Sequence, residues 1–337
     1  MYAKLIAFLR LIRFGNLLIM ALTQIAVRYG IINPLYTLGT KQLRANGFEY
    51  INPKLALSGI DFAILIITTL LIAAAGYIIN DYFDVKADRI NRPTKLVIGK
   101  GISRRKGIIA HITLSTLGMF GGIYLAWKVD AWSLAFIQLF SITALWFYST
   151  HFKKQMLVGN LIIASLATLV PLTVGIYELK AGAIVYMNQM NMLIPESGTD
   201  LLLYITIMVI GFSAFAFASN LVREIIKDME DLEGDAIDGR KTLPYVVGIQ
   251  TTRIFTLFLL LSMMLFLLFI QQKMLIFDLT GFLYYTVFGV QLPLLAIIML
   301  VWQAKTKEQF SNASAFCKVL ILSGVISMFF FGFFLNN

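Results

Sequence analysis

Nine consecutive residues, Asn80 to Asp88, carry side chains of the types that bind a divalent metal ion. The run reads Asn-Asp-Tyr-Phe-Asp-Val-Lys-Ala-Asp and follows a long apolar stretch. Asn80, Asp84 and Asp88 recur every four residues, and on a helix this spacing keeps them on one face, about 6 Å apart along the axis. Neighbouring carboxylates, Asp81 included, repel each other unless a cation lies among them. The spacing therefore predicts a site for Mg²⁺, which prefers oxygen ligands and usually shares them with a substrate phosphate.

A second acidic stretch, from Arg223 to Asp235, reads REIIKDMEDLEGD. Asp228, Asp231 and Asp235 follow the spacing i, i+3 and i+7, so a helix would present all three on one stripe. Two such stripes at one mouth would hold Mg²⁺ ions that bind a diphosphate and stabilise it as it leaves. Taken alone, either stretch is more typical of a solvated charged loop, but their occurrence as a pair favours the metal site.

The composition indicates a membrane protein. Of the 337 residues, 59% are hydrophobic and 14% are charged, and the mean hydropathy is +0.80. A soluble domain usually carries about 25% charged residues. The net charge of +10 is therefore interpreted as loop charge beside a membrane and not as a nucleic-acid-binding surface. The single cysteine, Cys317, excludes an internal disulfide, and His111 and His151 lie too far apart in the chain to indicate a zinc site.

Nine apolar segments are long enough to cross a bilayer, which takes about 20 predominantly apolar residues. We therefore predict an all-α polytopic membrane protein, a bundle of nine transmembrane helices that forms a single domain over residues 1–337. The N-terminal apolar run lacks a small-residue cleavage site, so we expect it to be the first span and not a signal peptide. Segments 34–60 and 178–200 are expected to be irregular. The predicted spans are 15–33, 62–82, 107–127, 131–149, 157–177, 201–221, 253–271, 281–301 and 316–335.

The distribution of basic residues predicts the orientation of the bundle. With the N-terminus in the cytoplasm, 21 of the 28 Lys and Arg residues fall on the cytoplasmic side, as the positive-inside rule requires. The same orientation brings Asn80–Asp88 and Asp228–Asp238 to the cytoplasmic face. We therefore expect a multi-pass protein of the cell membrane whose N-terminus and active site face the cytoplasm.

Together these motifs resemble the UbiA superfamily of intramembrane prenyltransferases. The resemblance covers nearly the whole chain, including the nine helices and the order of the motifs. Within the superfamily, the runs NDYFDVKADRINRP, GNLIIA and REIIKDMEDLEGD look most like the geranylgeranylglycerol-phosphate geranylgeranyltransferase branch. The motifs that carry the resemblance are Asn80-Asp-x-x-Asp84-x-x-x-Asp88, Asn91-Arg92-Pro93, Asp231-x-x-x-Asp235 and Lys241-Thr242-Leu243-Pro244.

The resemblance implies a helical bundle around a central cavity, capped on the cytoplasmic side by the two acidic loops. Members bind an isoprenyl diphosphate through Mg²⁺ and transfer the prenyl group to a lipophilic acceptor. The expected partners are therefore a prenyl diphosphate donor, a lipophilic acceptor and membrane lipid, with no nucleic acid and no obligate protein partner. The metal-binding and catalytic positions of the family correspond to Asn80, Asp84, Asp88, Asp231 and Asp235, with Asp81 and Asp228 as further acidic positions. The basic positions that contact the diphosphate correspond to Arg92 and Lys241.

Other polar residues near the mouth have two interpretations. The family's Tyr-x-x-x-Lys element is matched imperfectly by Tyr148, which is followed by Lys153 and Lys154. These residues either contact the allylic oxygen and the phosphates or anchor the helix ends at the membrane interface. Asn16 and Asn160 either line the mouth or form hydrogen bonds between helices. The sequence leaves both alternatives open.

The expected reaction is ionisation of the C–O bond of an allylic diphosphate in a water-poor cavity, followed by attack of an acceptor. If the acceptor is geranylgeranylglyceryl phosphate or a related glycerol phosphate lipid, cations such as Arg13, Lys153 or Arg223 would bind its phosphate. Two alternatives stay open: prenylation of an aromatic quinone or haem precursor, and cyclisation of the prenyl diphosphate without an external acceptor. A divalent-cation transporter is disfavoured because the predicted midplane positions carry almost no Asp or Glu.

Overall fold

The long apolar stretches of this chain form helices, because a backbone in hydrocarbon must satisfy its own hydrogen bonds. A computed structural model describes residues 2–45, 55–91, 96–99, 101–191, 197–276 and 278–336. Those residues contain fifteen α-helices and no β-strand apart from an isolated bridge between Ile98 and Ile102. In chain order the helices are α1 (Tyr2–Leu11), α2 (Phe14–Ala26), α3 (Asn33–Ala45), α4 (Gly59–Phe83), α5 (Val85–Asn91), α6 (Arg104–Lys128), α7 (Ala135–Thr150), α8 (Val158–Asn191), α9 (Ser197–Glu230), α10 (Leu232–Ile237), α11 (Leu243–Val247), α12 (Ile249–Ile276), α13 (Thr280–Tyr285), α14 (Leu292–Gln303) and α15 (Lys307–Asn336).

Nine helical stretches within the described residues are long and apolar enough to cross a membrane, which confirms the predicted number. Seven of them are built on α4, α6, α7, α8, α9, α12 and α15. The other two pass through a π-helical turn: α2 continues into α3 through Val27–Ile32, and α13 continues into α14 through Thr286–Gln291. The short helices α1, α5, α10 and α11 lie outside the spans.

The prediction that segments 34–60 and 178–200 are irregular is wrong over much of their length. Helix α3 extends to Ala45, α8 extends to Asn191, and α9 already begins at Ser197. Helical hydrogen bonds continue through polar residues, so the hydropathy pattern marks the membrane crossing and not the ends of the helix. The intervening positions 46–54 and 192–196 lie outside the described residues.

Helices α2, α4, α7, α8, α9 and α15 surround a central cavity of about 240 Å³. Helix α9 packs against α8, α12 and α15, while α4 packs against α6 and α7. The predicted bundle around a central cavity is therefore confirmed. The cavity follows α4 from Thr68 to Asn80, a distance of about 18 Å at the rise of an α-helix.

A buried ion pair joins the helices at the end of the bundle that lies away from the acidic motifs. The Nε of Arg28 lies 2.9 Å from Oε1 of Glu178, and both side chains are almost completely buried. Glu178 also accepts a hydrogen bond from the backbone N–H of Ala56 at 2.7 Å. The first and fifth spans are thereby fixed to the segment that leads into α4.

Two glycines allow the first and last spans to approach closely. A Cβ atom at Gly30 would lie 2.6 Å from the carbonyl oxygen of Met328, and one at Gly332 would lie 2.5 Å from the carbonyl oxygen of Gly30. Both contacts involve backbone, which a rotamer change cannot relieve. Only glycine fits at these positions without moving a helix.

We predict that Gly30→Ala lowers the midpoint of thermal unfolding in detergent. The added methyl group must displace α15, and overpacking of this kind typically costs about 1–3 kcal/mol. Gly211→Ala is the matched control, because nothing lies within 4 Å of its added Cβ and alanine is the better helix former. Equal midpoints for the two variants would contradict the close approach at Gly30.

Candidate active site

Both acidic motifs lie where a membrane helix is interrupted. Asp84 separates α4 from α5 with φ −85° and ψ 2°, and Asp231 separates α9 from α10 with φ −94° and ψ 6°. The backbone N–H of Asp84 still donates to the carbonyl oxygen of Asn80 at 3.0 Å, and that of Asp231 to Lys227 at 2.9 Å. The expectation that each motif continues along one helix is therefore wrong. Each aspartate adopts the bridge conformation, which redirects the chain while the local hydrogen bond is kept.

The two interruptions lie against one another. Helix α5, which follows Asp84, packs against α10, which follows Asp231. This contact confirms that the two acidic motifs meet at one end of the bundle, as their positions relative to the spans predicted.

The buried carboxylate of Asp84 joins three separate segments of the chain. Its Oδ1 accepts hydrogen bonds from Nζ of Lys153 and from Nη2 of Arg240. Lys153 lies in the 3₁₀ turn between α7 and α8, and Arg240 lies in the loop between α10 and α11. The contacts that these residues make define an ion-pair network of Asp84, Lys153, Asp235, Asp238 and Arg240.

Arg240 is the most highly connected member of the ion-pair network. Besides Asp84, it contacts Asp235 (Nη1–Oδ1, 3.4 Å) and donates from Nε to Oδ2 of Asp238 at 3.0 Å. Gly239 makes this possible with a φ of 70°, in the left-handed region that favours glycine. The turn brings the backbone N–H of Arg240 to 2.9 Å from the carbonyl oxygen of Asp235. One guanidinium thus compensates three carboxylates.

Two carboxyl groups of the ion-pair network differ in pKa because they differ in compensation. Burial by itself would raise the pKa of Asp84, but the positive charges of Lys153 and Arg240 outweigh burial and hold the pKa below its usual value. Burial and the nearby carboxylate of Asp231 raise the pKa of Asp235 to about 6, although Arg240 acts in the opposite direction. Negative charge at Asp235 is therefore incompletely compensated by the protein, and a bound cation would favour it.

A band of polar side chains lies one to two helical turns deeper than the aspartates and lines the upper part of the cavity. Below it the walls are largely apolar, with Ile72, Leu166, Val170 and Phe212 among the lining residues. Glu224 and Lys318 also line the cavity at the polar level. We define the polar collar as Arg13, Asn16, Asn80, Tyr148, Arg223 and Lys227.

Several predicted residues are fixed by contacts between helices. Nη2 of Arg13 lies 2.9 Å from Oδ1 of Asp81. Nδ2 of Asn16 donates to the hydroxyl oxygen of Tyr77 at 3.4 Å, and Nδ2 of Asn160 donates to Oδ2 of Asp228 at 2.8 Å. For Asn16, lining the mouth and bonding a neighbouring helix are therefore both true.

The remaining predicted residues divide between the site and its surface. Tyr148 lines the cavity, and Asp88 is half-buried on α5. Lys154 and Lys241 are exposed, although the backbone N–H of Lys241 donates to the carbonyl oxygen of Lys154 at 3.0 Å. Arg92 lies outside the described residues.

Four charged residues of the site were not among the sequence-based candidates: Arg240, Glu224, Lys227 and Lys318. Arg240 and Lys241 are adjacent in the sequence, and only the turn at Gly239 decides that Arg240 is the buried one. Glu224 and Lys227 do show a signal, because they lie on the same helical stripe as Asp231, Glu224 about two turns before it and Lys227 about one turn before it. Nothing in the sequence places Lys318 beside that stripe.

The donor set at the meeting point of the motifs fits Mg²⁺. The Oδ1 of Asn80 is buried and has no hydrogen-bond partner in the part of the chain that the structure describes. Carboxylates of Asp88, Asp228, Asp231 and Asp235 lie on the surrounding segments. Among the described residues, no group of three or more His, Cys, Asp or Glu side chains is preassembled around a metal position. Mg²⁺ takes one or two carboxylates and completes its shell with water and substrate phosphates, so the oxygen donors of Asn80 and of these aspartates suit it.

Two acidic helix ends, a cationic network between them and an apolar cavity beneath them define an intramembrane enzyme that acts on a lipid with an anionic head. Residues 51–334 match the family model described as the UbiA prenyltransferase family. Because the match covers most of the chain, this protein belongs to that family and is a prenyltransferase.

Related proteins agree with this assignment. The digeranylgeranylglyceryl phosphate synthase of Korarchaeum cryptofilum is 31% identical over 264 residues, which cover 77% of this chain and 81% of that protein. The synthase of the same name from Thermococcus kodakarensis is 28% identical over 79% of this chain and 83% of that protein. A solved structure of a UbiA homologue from Archaeoglobus fulgidus, bound to DMAPP and Mg²⁺, has the same fold: the TM-score is 0.56 at 15% identity, over 96% of this chain and 98% of that one.

We predict that Arg240→Gln lowers the thermal unfolding midpoint, whereas Lys241→Gln leaves it unchanged. Removing Arg240 leaves buried carboxylates without a partner, and breaking a buried ion pair costs about 3 kcal/mol or more. Lys241 is the matched control because it is the adjacent cation and its side chain is exposed. Two variants that unfold at the same temperature would show that the ion-pair network does not hold the motifs together.

Proposed function

We propose that this protein transfers an isoprenyl group from an allylic prenyl diphosphate to a glycerol phosphate lipid, in a Mg²⁺-dependent reaction that releases diphosphate. The observation that carries the proposal is the direct link between the two acidic motifs, Asp84 to Arg240, one helical turn above an apolar cavity. Such an arrangement separates a site for phosphate and metal from a site for hydrocarbon. The relatives named digeranylgeranylglyceryl phosphate synthases support the choice of acceptor.

The donor diphosphate would bind between the motifs, where anionic and cationic groups alternate. Lys153 and Arg240 supply charged hydrogen-bond donors for phosphate oxygens. Asn80, Asp88, Asp228, Asp231 and Asp235 are the oxygen ligands that fit Mg²⁺. The bound ion would neutralise the diphosphate and lower the free energy of its departure.

The prenyl chain would extend down the cavity from the polar collar. The apolar walls exclude water, which protects an allylic cation from hydrolysis until the acceptor attacks. The C–O bond of the donor breaks and the diphosphate takes the electron pair. The acceptor hydroxyl oxygen forms the new bond to the allylic carbon, and its proton passes to a diphosphate oxygen or to water. Tyr148 and Asn16 lie at the level where this exchange takes place.

The acidic mouth is proposed to face the cytoplasm, with the short helices α5, α10 and α11 as its cap and residues 1–337 as one domain. The support is the distribution of basic residues, 21 of 28 on that side. Cys317 is the only cysteine and is buried, so single reporter cysteines can be labelled against a low background.

We predict that, in intact cells, a membrane-impermeant maleimide labels Asp130→Cys but labels Lys305→Cys only after permeabilisation. Both positions are exposed and lie at opposite ends of the bundle. The reverse pattern of labelling would place the acidic mouth on the outside.

We predict that Asp231→Asn and Asp84→Asn each lower the rate of diphosphate release by about 10²–10³, the usual loss when one preorganised electrostatic group is removed. The assay uses purified protein, labelled geranylgeranyl diphosphate, Mg²⁺ and geranylgeranylglyceryl phosphate. Asp130→Asn is the matched control, since Asp130 is an exposed residue with φ 50° and asparagine tolerates that conformation. If the wild type shows no Mg²⁺-dependent diphosphate release with any acceptor, the proposed function is wrong.

A further inference from the structure

The polar collar contains three cations, Arg13, Arg223 and Lys227. Arg13 is paired with Asp81, whereas the carboxylate that Arg223 and Lys227 contact on the cavity wall is Glu224. At the level above, the aspartates of both motifs outnumber the two cations that they contact, Lys153 and Arg240.

The collar cations differ in how firmly they are held. Arg13 is paired with Asp81 on α4 at 2.9 Å. Arg223 and Lys227 both turn to Glu224, the first at 2.7 Å (Nη1–Oε1) and the second at 3.7 Å (Nζ–Oε2). Among the side chains of α9 that line the cavity, these two cations therefore face a single carboxylate, Glu224.

Arg223 also keeps an unused hydrogen-bond donor. Its Nε is buried and donates to no acceptor in the described part of the chain. A buried N–H group without an acceptor is costly, so this nitrogen marks a position where an acceptor from a ligand would lower the free energy. The planar guanidinium can donate two parallel hydrogen bonds, an arrangement that suits the oxygens of a phosphate group.

The depth of this pair separates it from the metal site. Lys227 lies one turn before Asp231 on α9 and Arg223 two turns before it, about 6 and 12 Å along the axis. A diphosphate bound between the acidic motifs would occupy the level above. A second anion at the level of Arg223 would lie beside the allylic carbon, at the top of the apolar cavity.

We propose that Arg223 and Lys227 form a second anion site, which binds the phosphate group of the lipid acceptor. The inference rests on the proposed function and assigns the acceptor its own cations, separate from those of the donor. The sequence offered Lys153, Arg13 and Arg223 for this phosphate, and each of them contacts a carboxylate. Arg223 is the one whose buried Nε still has no acceptor among the described residues. Phosphate held on the α9 wall presents the neighbouring hydroxyl group to the allylic carbon, and it keeps the acceptor away from the diphosphate it would otherwise repel.

The test compares Michaelis constants for the two substrates in full-length Arg223→Gln, with Arg223→Lys as the conservative variant. Acceptors are geranylgeranylglyceryl phosphate and its dephosphorylated alcohol, each with labelled geranylgeranyl diphosphate and Mg²⁺. We expect Arg223→Gln to raise KM for the phosphorylated acceptor about 10- to 100-fold, the loss typical of a charge-assisted hydrogen bond. The KM for the donor stays unchanged. Arg223→Lys gives an intermediate KM for the phosphorylated acceptor, because lysine keeps the charge but lacks the paired N–H donors of the guanidinium.

Controls separate this site from folding and from the reaction itself. KM does not depend on the fraction of folded protein, and Lys305→Met, which removes an exposed cation outside the cavity, should match the wild type. Lys227→Gln should show the same selective rise as Arg223→Gln. If both variants raise KM for the donor as much as for the acceptor, or leave the preference for phosphate over alcohol unchanged, the acceptor site is wrong while the proposed function stands. A wild type that uses neither acceptor would overturn both.

Discussion

The contact of Asp84 with Lys153 and Arg240 is the interaction on which the active end of this molecule depends. It joins the corner between α4 and α5, the turn between α7 and α8, and the loop after α10. A carboxylate so deeply buried is costly unless it is paired, and removing either partner leaves an uncompensated charge. The contact therefore specifies how the two acidic motifs meet more than it adds to the stability of the bundle.

The same contact explains why the enzyme needs interrupted helices. If α4 and α9 continued straight, their aspartates would project further along each helix axis, away from the cavity. The bridge conformations of Asp84 and Asp231 redirect α5 and α10 toward each other, and the loss of regular helix is limited to one residue in each case. The aspartates of both motifs and the cations Lys153 and Arg240 then lie above the polar collar, which lines the top of one hydrocarbon cavity.

Much of the fold and part of the candidate active site could be predicted from the sequence. Hydropathy alone gives the nine spans, because the bilayer imposes a minimum apolar length. The order of the spans and the positive-inside rule together bring the two motifs to one face, and the spacing of the aspartates predicts a metal site there. The interruptions at Asp84 and Asp231 escape prediction, since the same residues at the same spacing also suit a continuous helix. The ends of α3 and α8 outside the membrane also escape prediction, because helical hydrogen bonds continue through polar residues after the hydropathy falls.

The choice between adjacent cations is the least predictable feature. Lys153 is buried against Asp84 while Lys154 is exposed, and Arg240 is buried while Lys241 is exposed. Each pair is nearly equivalent in sequence, and a single turn decides which member faces the site. That information resides in tertiary contacts and not in local spacing. For the same reason Arg240, which contacts three carboxylates, is invisible until the loop is folded.

The central claim is that the two acidic motifs, linked through Asp84 and Arg240, bind the donor diphosphate together with Mg²⁺. The most direct measurement is the equilibrium binding of a prenyl thiolodiphosphate, an analogue that does not ionise, to the full-length protein with Mg²⁺ and with a chelator. We predict that binding requires Mg²⁺ and weakens at least about tenfold in Asp231→Asn, as for the loss of one charge-assisted contact. Equal affinity with Mg²⁺ and with chelator, in both wild type and variant, would contradict the account.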